Sequence, residues 1–235
     1  MTLRPALLAL LLVLAGAVGG GLVLAAQALL PGARAGDVRG YLLAHPEVLP
    51  EAMTRLRERE ASKFVAANRA AIVAPFPGAV GGNPAGGVTV AVYMDYACTF
   101  CHASLPALAQ LVKADPNVRV VYRELPILGE DSITGAAWAL AAAEQGKYLP
   151  FHEALFSAGR PSAAAIQAAA TSAGLDQARA RATVASPQVA AEFDKNRSMA
   201  GGLGVTGTPA WVIGDRVLSG ALSYDELAAA VKAAR

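Results

Sequence analysis

Cys98 and Cys101 are the only cysteines in the 235-residue chain, and they stand three positions apart. A disulfide that staples a small secreted fold closes a wide loop. This pair closes almost none, so it is suited to reaction rather than to stability. The thiolate is the attacking species of disulfide exchange. A two-residue spacer at the start of a helix brings both sulfurs to one face. The string Cys98-Thr99-Phe100-Cys101-His102 also fits other chemistry. Its spacing is that of a c-type haem attachment site, and two thiolates with His102 form part of a copper or zinc site. A copper- or haem-binding protein is therefore the alternative reading. No second Cys/His cluster completes a four-ligand set, so no metal site and no organic cofactor is expected.

The elements that must position the pair are legible. Val88 to Asp95 is a nearly continuous apolar run rich in β-branched residues, which predicts a strand buried on both faces. A helix is expected from about Cys98 to Ala114, with Leu105, Leu108 and Val112 on one side and Asp115-Pro116-Asn117 at its end. Val118 to Glu124 reads as a second strand. Strand, helix, strand is a βαβ unit with a parallel pair. The cysteines then lie at the carboxyl end of a parallel strand and in the first turn of a helix. Open N–H groups and a partial positive charge there favour thiolate over thiol. Cys98 is expected to attack and Cys101 to resolve.

Residues 131–200 are Ala-rich and helical, and their punctuation implies four or five helices; Ser186 before Pro187 fits a cap followed by a first-turn proline. Trp211-Val212-Ile213 and Arg216 to Ser219 flank a Gly214-Asp215 hairpin turn. Ser223 with Glu226 is a capping box that opens a last amphipathic helix. The order β-α-β, helical block, β-β-α predicts a small α/β sheet split by a helical insertion.

The N-terminus reads differently. No charged residue occurs from Pro5 to Ala33. A run of that length exceeds the ~20 residues a bilayer-spanning helix needs. Residues 1–35 are read as a signal-anchor or a signal peptide, with Ala33-Arg34-Ala35 offering small residues at a cleavage spacing. The remainder is placed outside the cytoplasm, in the periplasm, anchored to the inner membrane by residues 5–30 or released after cleavage. Residues 36–75 form a short helical segment in which Leu42, Leu49 and Leu56 recur every seven positions. That is a helix-pairing face, although Pro46 and Pro50 interrupt it. The segment is read as two short helices packing on the main domain, or as a stalk forming a homo-oligomer through residues 37–66. Residues 75–87, rich in Pro and Gly, read as a linker. The main domain is set at 76–235. A net charge of +2 and no basic cluster argue against nucleic acid.

The chain resembles the DsbA-like thioredoxin-fold oxidoreductases. Asp95-Tyr96-Ala97-Cys98-Thr99-Phe100-Cys101-His102 is similar to their active-site entry, and Arg123-Glu124-Leu125-Pro126-Ile127-Leu128-Gly129, then Ser132 and Ala136-Ala137, to their second strand and the helix that follows it. Gln145-Gly146-Lys147-Tyr148 with Phe151-His152 resembles their helical insertion. Gly204-Val205-Thr206-Gly207-Thr208-Pro209-Ala210 is similar to their proline loop. Tyr41 to Glu60 resembles the N-terminal segment of the ScsC-type subgroup, which in some members drives trimer formation. The resemblance implies a thioredoxin-like fold with a helical insertion at about 131–200, preceded by the membrane helix and the short helical segment. It implies a cis bond at Pro209, a Thr208 backbone that binds a substrate strand, and a kink at Pro106. Its expected partners are cysteine-containing protein substrates and a membrane redox partner. Two departures lean from strong oxidase toward isomerase or reductase: Thr99-Phe100 stands where the archetype has Pro-His, and Thr208 precedes the proline.

Three further residues are candidates for tuning the thiols. Asp95 is read as a buried acid or as a cap on the next turn. Glu124 is read as a thiol-tuning acid or a partner of Arg123. His102 is read as interacting with the thiolate or as lying on the exposed helix face. His45 and His152 are taken as structural or surface residues, and Trp138 and Trp211 as core.

Overall fold

Val90, Val92 and Met94 join one hydrophobic cluster, and their neighbours Ala91 and Tyr93 join another. Successive side chains of a strand point to opposite faces, so this strand is buried on both sides. That explains why its sequence is continuously apolar rather than alternating. The computed structural model describes residues 5–29 and 35–235. Its elements are α1 (Pro5–Leu29), α2 (Ala35–Ala44), α3 (Val48–Val73), β1 (Val80–Gly82), β2 (Val88–Met94), α4 (Thr99–Ala114), β3 (Val118–Glu124), α5 (Glu130–Glu144), α6 (Tyr148–Ser157), α7 (Ala163–Ser172), α8 (Gln177–Val184), α9 (Pro187–Gly202), β4 (Ala210–Ile213), β5 (Arg216–Ser219) and α10 (Tyr224–Ala233). The chain divides into two compact units, Met1–Arg55 and Leu56–Arg235.

In the second unit the strands form one sheet in the order β1-β3-β2-β4-β5. β2 and β3 are parallel, with Val88 opposite Val118 and Met94 opposite Glu124. β4 runs antiparallel to β2, and β5 to β4. On one face Val90, Val92, Val120 and Trp211 meet Leu108 and Leu111 of α4 and Leu227 and Val231 of α10. On the other, Ala91, Tyr93, Val121 and Val212 meet Val65 and Ile72 of α3 and Ala200 and Leu203 at the end of α9. Val65 and Ile72 are each 1% exposed. Burial of that completeness contributes about 1.5–3 kcal/mol per side chain. Helices α5 to α9 are the insertion, five in number. The mixed α/β arrangement is the thioredoxin-like one that the resemblance implied. The capping box at Ser223 and Glu226 is formed as the sequence predicts.

Two expectations need correction. The Pro- and Gly-rich stretch read as a linker supplies an edge strand, because β1 pairs antiparallel with β3, and Phe76 and Ala79 are core residues. Periodicity cannot register a strand of three residues. Second, the structure does not support the membrane helix expected ahead of the domain: among the described residues no helix is long and apolar enough to cross a membrane. The helix that is there, α1, carries no charged residue. Ala33 and Arg34, on which the expected cleavage turns, lie outside the described residues.

In the first unit Pro46 falls between α2 and α3, and Pro50 falls in the first turn of α3, where its missing N–H has no helical partner to lose. Val38, Tyr41, Leu43, Leu49 and Met53 are all exposed.

Candidate active site

β2 ends at Met94, and Asp95-Tyr96-Ala97 turn the chain into α4. The Cys98 N–H donates to the Asp95 carbonyl at 3.1 Å, which closes that turn and leaves Cys98 as the N-cap of α4 in extended conformation. N-cap side chains ordinarily accept from the first-turn N–H groups. Here the acceptor is sulfur: the Cys101 N–H donates to Cys98 Sγ at 3.3 Å. The same Sγ donates to the Thr208 carbonyl oxygen at 3.2 Å. The Thr208–Pro209 peptide bond is cis. The Pro209 carbonyl accepts the Gly220 N–H at 2.9 Å, fixing the far side of the loop to the end of β5.

The two thiols are not equivalent. Cys98 keeps 6% of its surface exposed and Cys101 none. Burial pushes the Cys101 thiol well above its ordinary range, more than hydrogen bonding with the Asp95 backbone and Thr208 draws it back. Beside Cys98, Phe100 is 64% exposed. Pro106 lies inside α4, where its ring nitrogen cannot donate to the His102 carbonyl.

Asp95 is buried and its carboxylate is fully engaged. Oδ1 accepts from the Ala97 N–H at 2.7 Å and the Ser132 hydroxyl at 2.6 Å. Oδ2 accepts from the Ile127 and Leu128 N–H groups at 2.8 and 3.0 Å. One side chain thus ties the turn before Cys98 to the loop after β3 and to α5. Of the two readings of Asp95, this geometry is that of a cap.

Glu124 is buried beneath the same turn. Its Oε1 accepts from Tyr148 at 2.7 Å and Tyr96 at 3.3 Å. Tyr96 also bonds His152 Nδ1 at 2.9 Å. Glu124 Oε2 and His152 Nε2 have no partner among the described residues. Burial raises the Glu124 carboxyl to about 8, against the pull of the two tyrosines, and lowers His152 to about 3. Glu124 is not the partner of Arg123, whose guanidinium instead meets Glu192 at 3.0 Å. His102 is exposed on α4, 6.3 Å from the Phe156 ring between centroids.

The structure therefore brings together Cys98, Cys101, Thr208, Pro209 and Asp95, with Glu124 linked through Tyr96, and leaves His102 outward. Tyr96, Ser132, Tyr148 and His152 belong to the motifs that carry the resemblance, but the sequence reading assigned none of them a place around the thiols, where the structure puts them. Tyr148 and His152 stand four apart on one helix, a spacing that signals a shared face; Ser132 gives no such signal. Among the described residues no group of three or more His, Cys, Asp or Glu is placed to hold a metal ion.

A helix that caps itself with one thiol and hides the second, opposite a proline loop, places the molecule in the class of thioredoxin-like thiol–disulfide oxidoreductases. The chain belongs to the DSBA-like thioredoxin domain family, whose profile matches residues 89–232. Residues 38–63 match the copper resistance protein ScsC N-terminal domain. Among solved structures, a thioredoxin-like oxidoreductase from Silicibacter pomeroyi is 41% identical, with TM-score 0.65 over 66% of this chain and 91% of that one. A linker-deletion mutant of Proteus mirabilis ScsC is 26% identical, with TM-score 0.71 over 88% and 97%. The thiol-disulfide exchange protein alpha-DsbA2 from Wolbachia pipientis is also 26% identical, with TM-score 0.69 over 77% and 98%. Curated relatives are Na(+)/H(+) antiporters NhaA of Salinispora arenicola and Salinispora tropica, 30% and 32% identical over 63% of this chain. The chain matches only 23% of the length of those two proteins.

Proposed function

We propose that this chain is an extracytoplasmic thiol–disulfide oxidoreductase acting on cysteine-containing proteins. The observation that carries the reading is the position of Cys98 Sγ, which accepts a helix N-terminal N–H on one side and faces the Thr208 carbonyl on the other. The Cys101 N–H stabilises negative charge on the sulfur. In the reducing direction, Cys98 thiolate attacks a substrate disulfide, forming a mixed disulfide and releasing one substrate thiolate. Cys101 loses its proton and attacks Cys98 Sγ, forming the Cys98–Cys101 disulfide and releasing the second substrate thiol. The substrate gains two electrons and the protein loses two; oxidation of a dithiol runs the same steps backward. The Thr208 backbone beside Pro209 docks the substrate strand.

Exposed Phe100 offers no imidazole to the thiolate. With Thr208 before the proline, this favours isomerase or reductase over dedicated oxidase. Equilibration of the protein with glutathione gives the reduction potential that decides the direction. Cys101→Ser is expected to accumulate a mixed disulfide with glutathione at Cys98, and Cys98→Ser to accumulate none. Absence of any exchange in the wild-type protein sinks the reading in favour of copper or haem binding by the same residues, which metal analysis and visible absorbance detect.

Residues 1–35 act as an export signal, a reading supported by the uncharged α1 and tested by sequencing the mature N-terminus. Reoxidation or rereduction falls to a membrane redox partner. Residues 37–66 assemble the chain into a homo-oligomer. The exposed Tyr41, Leu49 and Met53 and the match over 38–63 support this, and sedimentation of the wild-type chain beside one with Tyr41, Leu49 and Met53 changed to Ser tests it.

A further inference from the structure

The Phe64 ring of α3 lies directly against Gly202, the last residue of α9. A methyl group at Gly202 would overlap the ring's outer carbons. Any side chain at Gly202 must therefore displace the Phe64 ring or the helix end, although Gly202 needs no unusual backbone angle. Leu203, the C-cap that follows, is 3% exposed and shares a cluster with Phe64, Met199 and Val205.

The chain from this contact to the active site is short and tied. The Leu203 N–H donates to the Met199 carbonyl at 3.0 Å, the Gly204 N–H to Gly201 at 3.1 Å, and the Val205 N–H to Ala200 at 2.9 Å. Gly204 has φ +70, the left-handed turn that ends many helices. Residues 203–205 therefore move as one body with the last turn of α9. Only Thr206 and Gly207 separate that body from Thr208, whose carbonyl faces Cys98 Sγ. A displacement of the helix end must be taken up in Thr206 and Gly207 or passed on to the Thr208 and Pro209 carbonyls, both of which are bonded. Six residues before Gly202, α9 is braced against β3, where Asn196 Nδ2 donates to the Glu124 carbonyl at 3.0 Å.

We propose that Phe64 is a positioning residue for the Thr208–Pro209 loop: by filling the space over Gly202 it sets where the end of α9, and with it the substrate-docking backbone, stands relative to Cys98. The proposal rests on the oxidoreductase reading above. It gives α3, which lies outside the family match at 89–232, a part in substrate binding.

The test uses the full chain and a peptide disulfide as substrate. Phe64→Leu removes the ring without creating a clash and is expected to raise KM several-fold, while alkylation of Cys98 by iodoacetamide stays near its wild-type rate. Gly202→Ala forces the ring aside and is expected to lower kcat/KM by about tenfold, the scale of loss from a sub-ångström misplacement of a binding group. Phe64→Ala combined with Gly202→Ala removes the overlap and is expected to return kcat/KM to that of Phe64→Ala. Wild-type KM in folded Phe64→Leu, or a double variant no better than Gly202→Ala alone, overturns the proposal. Wild-type protein that neither exchanges with the peptide nor forms the glutathione adduct overturns the parent reading instead.

Discussion

Cys98 Sγ and the Thr208 carbonyl oxygen lie 3.2 Å apart across 110 residues of chain. The nucleophile and the backbone expected to dock its substrate are therefore set by different parts of the sheet, one at the end of β2 and the other just before β4. The contact depends on the β2–β4 pairing, which sets Tyr93 opposite Ala210.

The two thiols are expected to differ in reactivity. Cys98 caps its helix with 6% of its surface still exposed, whereas Cys101 is fully buried with its thiol pushed up by desolvation. Iodoacetamide should modify Cys98 at least about tenfold faster than Cys101, since alkylation needs an accessible thiolate. Fragmentation mass spectrometry of the labelled peptide checks this, and equal labelling would contradict it.

Asp95→Asn is expected to destabilise the protein by about 2–3 kcal/mol, the scale of losing hydrogen bonds to a charged acceptor. The amide keeps one acceptor oxygen, and its NH₂ group meets the N–H donors on the other side, either Ala97 or the pair Ile127 and Leu128. Urea unfolding measures the change. A variant as stable as wild type would show that the bonds lost on that side contribute nothing net.

Arg123 is fully buried. It donates to Glu192 and Asn196 of α9 and to the Ala71, Ile72 and Ala74 carbonyls at the end of α3. Arg123→Met leaves Glu192 only its ion pair with the half-exposed Lys195 and three carbonyls without this donor, at a cost of about 2–4 kcal/mol. The expected sign is faster hydrogen exchange around residues 71–79 before the rest of the domain opens. Uniform exchange rates across the domain would count against this local clasp.

Stability should depend on pH through two buried groups of opposite sign. Glu124 is raised from 4.5 to about 8 by burial. Its neutral form suits the fold, so its contribution is complete below 4.5 and is lost as pH climbs through about 8. His152 is lowered from 6.5 to about 3 by burial, so its contribution is complete above 6.5 and is lost as pH falls through about 3. Glu124→Gln should flatten the fall in urea midpoint between about pH 5 and about pH 9 and leave the acid limb in place. Parallel curves for wild type and variant would remove Glu124 from the account.

Much of the site's local frame was legible because short-range physics writes it. The apolar run of β2, the cysteines at the next helix start, the parallel β3 and the capping box at Ser223 each follow from spacing within a few residues. The edge strand β1 was not legible, because Val80–Gly82 is held by pairing with β3 rather than by any pattern of its own. Asp95 was legible as one of two readings, a cap on the next turn, but not as the tie to Ile127, Leu128 and Ser132, which lie more than thirty positions on.

By itself, then, the sequence determined every strand and helix around the site except the edge strand β1, the helix start that holds Cys98, and the pairing of one thiol with a second a turn away. These rest on periodicity, capping and covalent reach, all local. Only the tertiary structure decided which residues surround the thiols. Folding the sheet places Thr208 against Cys98, closes Asp95 over two loops, buries Glu124 with Tyr96, Tyr148 and His152, and turns Arg123 toward α3 and α9 instead of its neighbour. Contacts of that kind are chosen by which faces meet when the layers pack, and burial then shifts the proton affinities of whatever is enclosed.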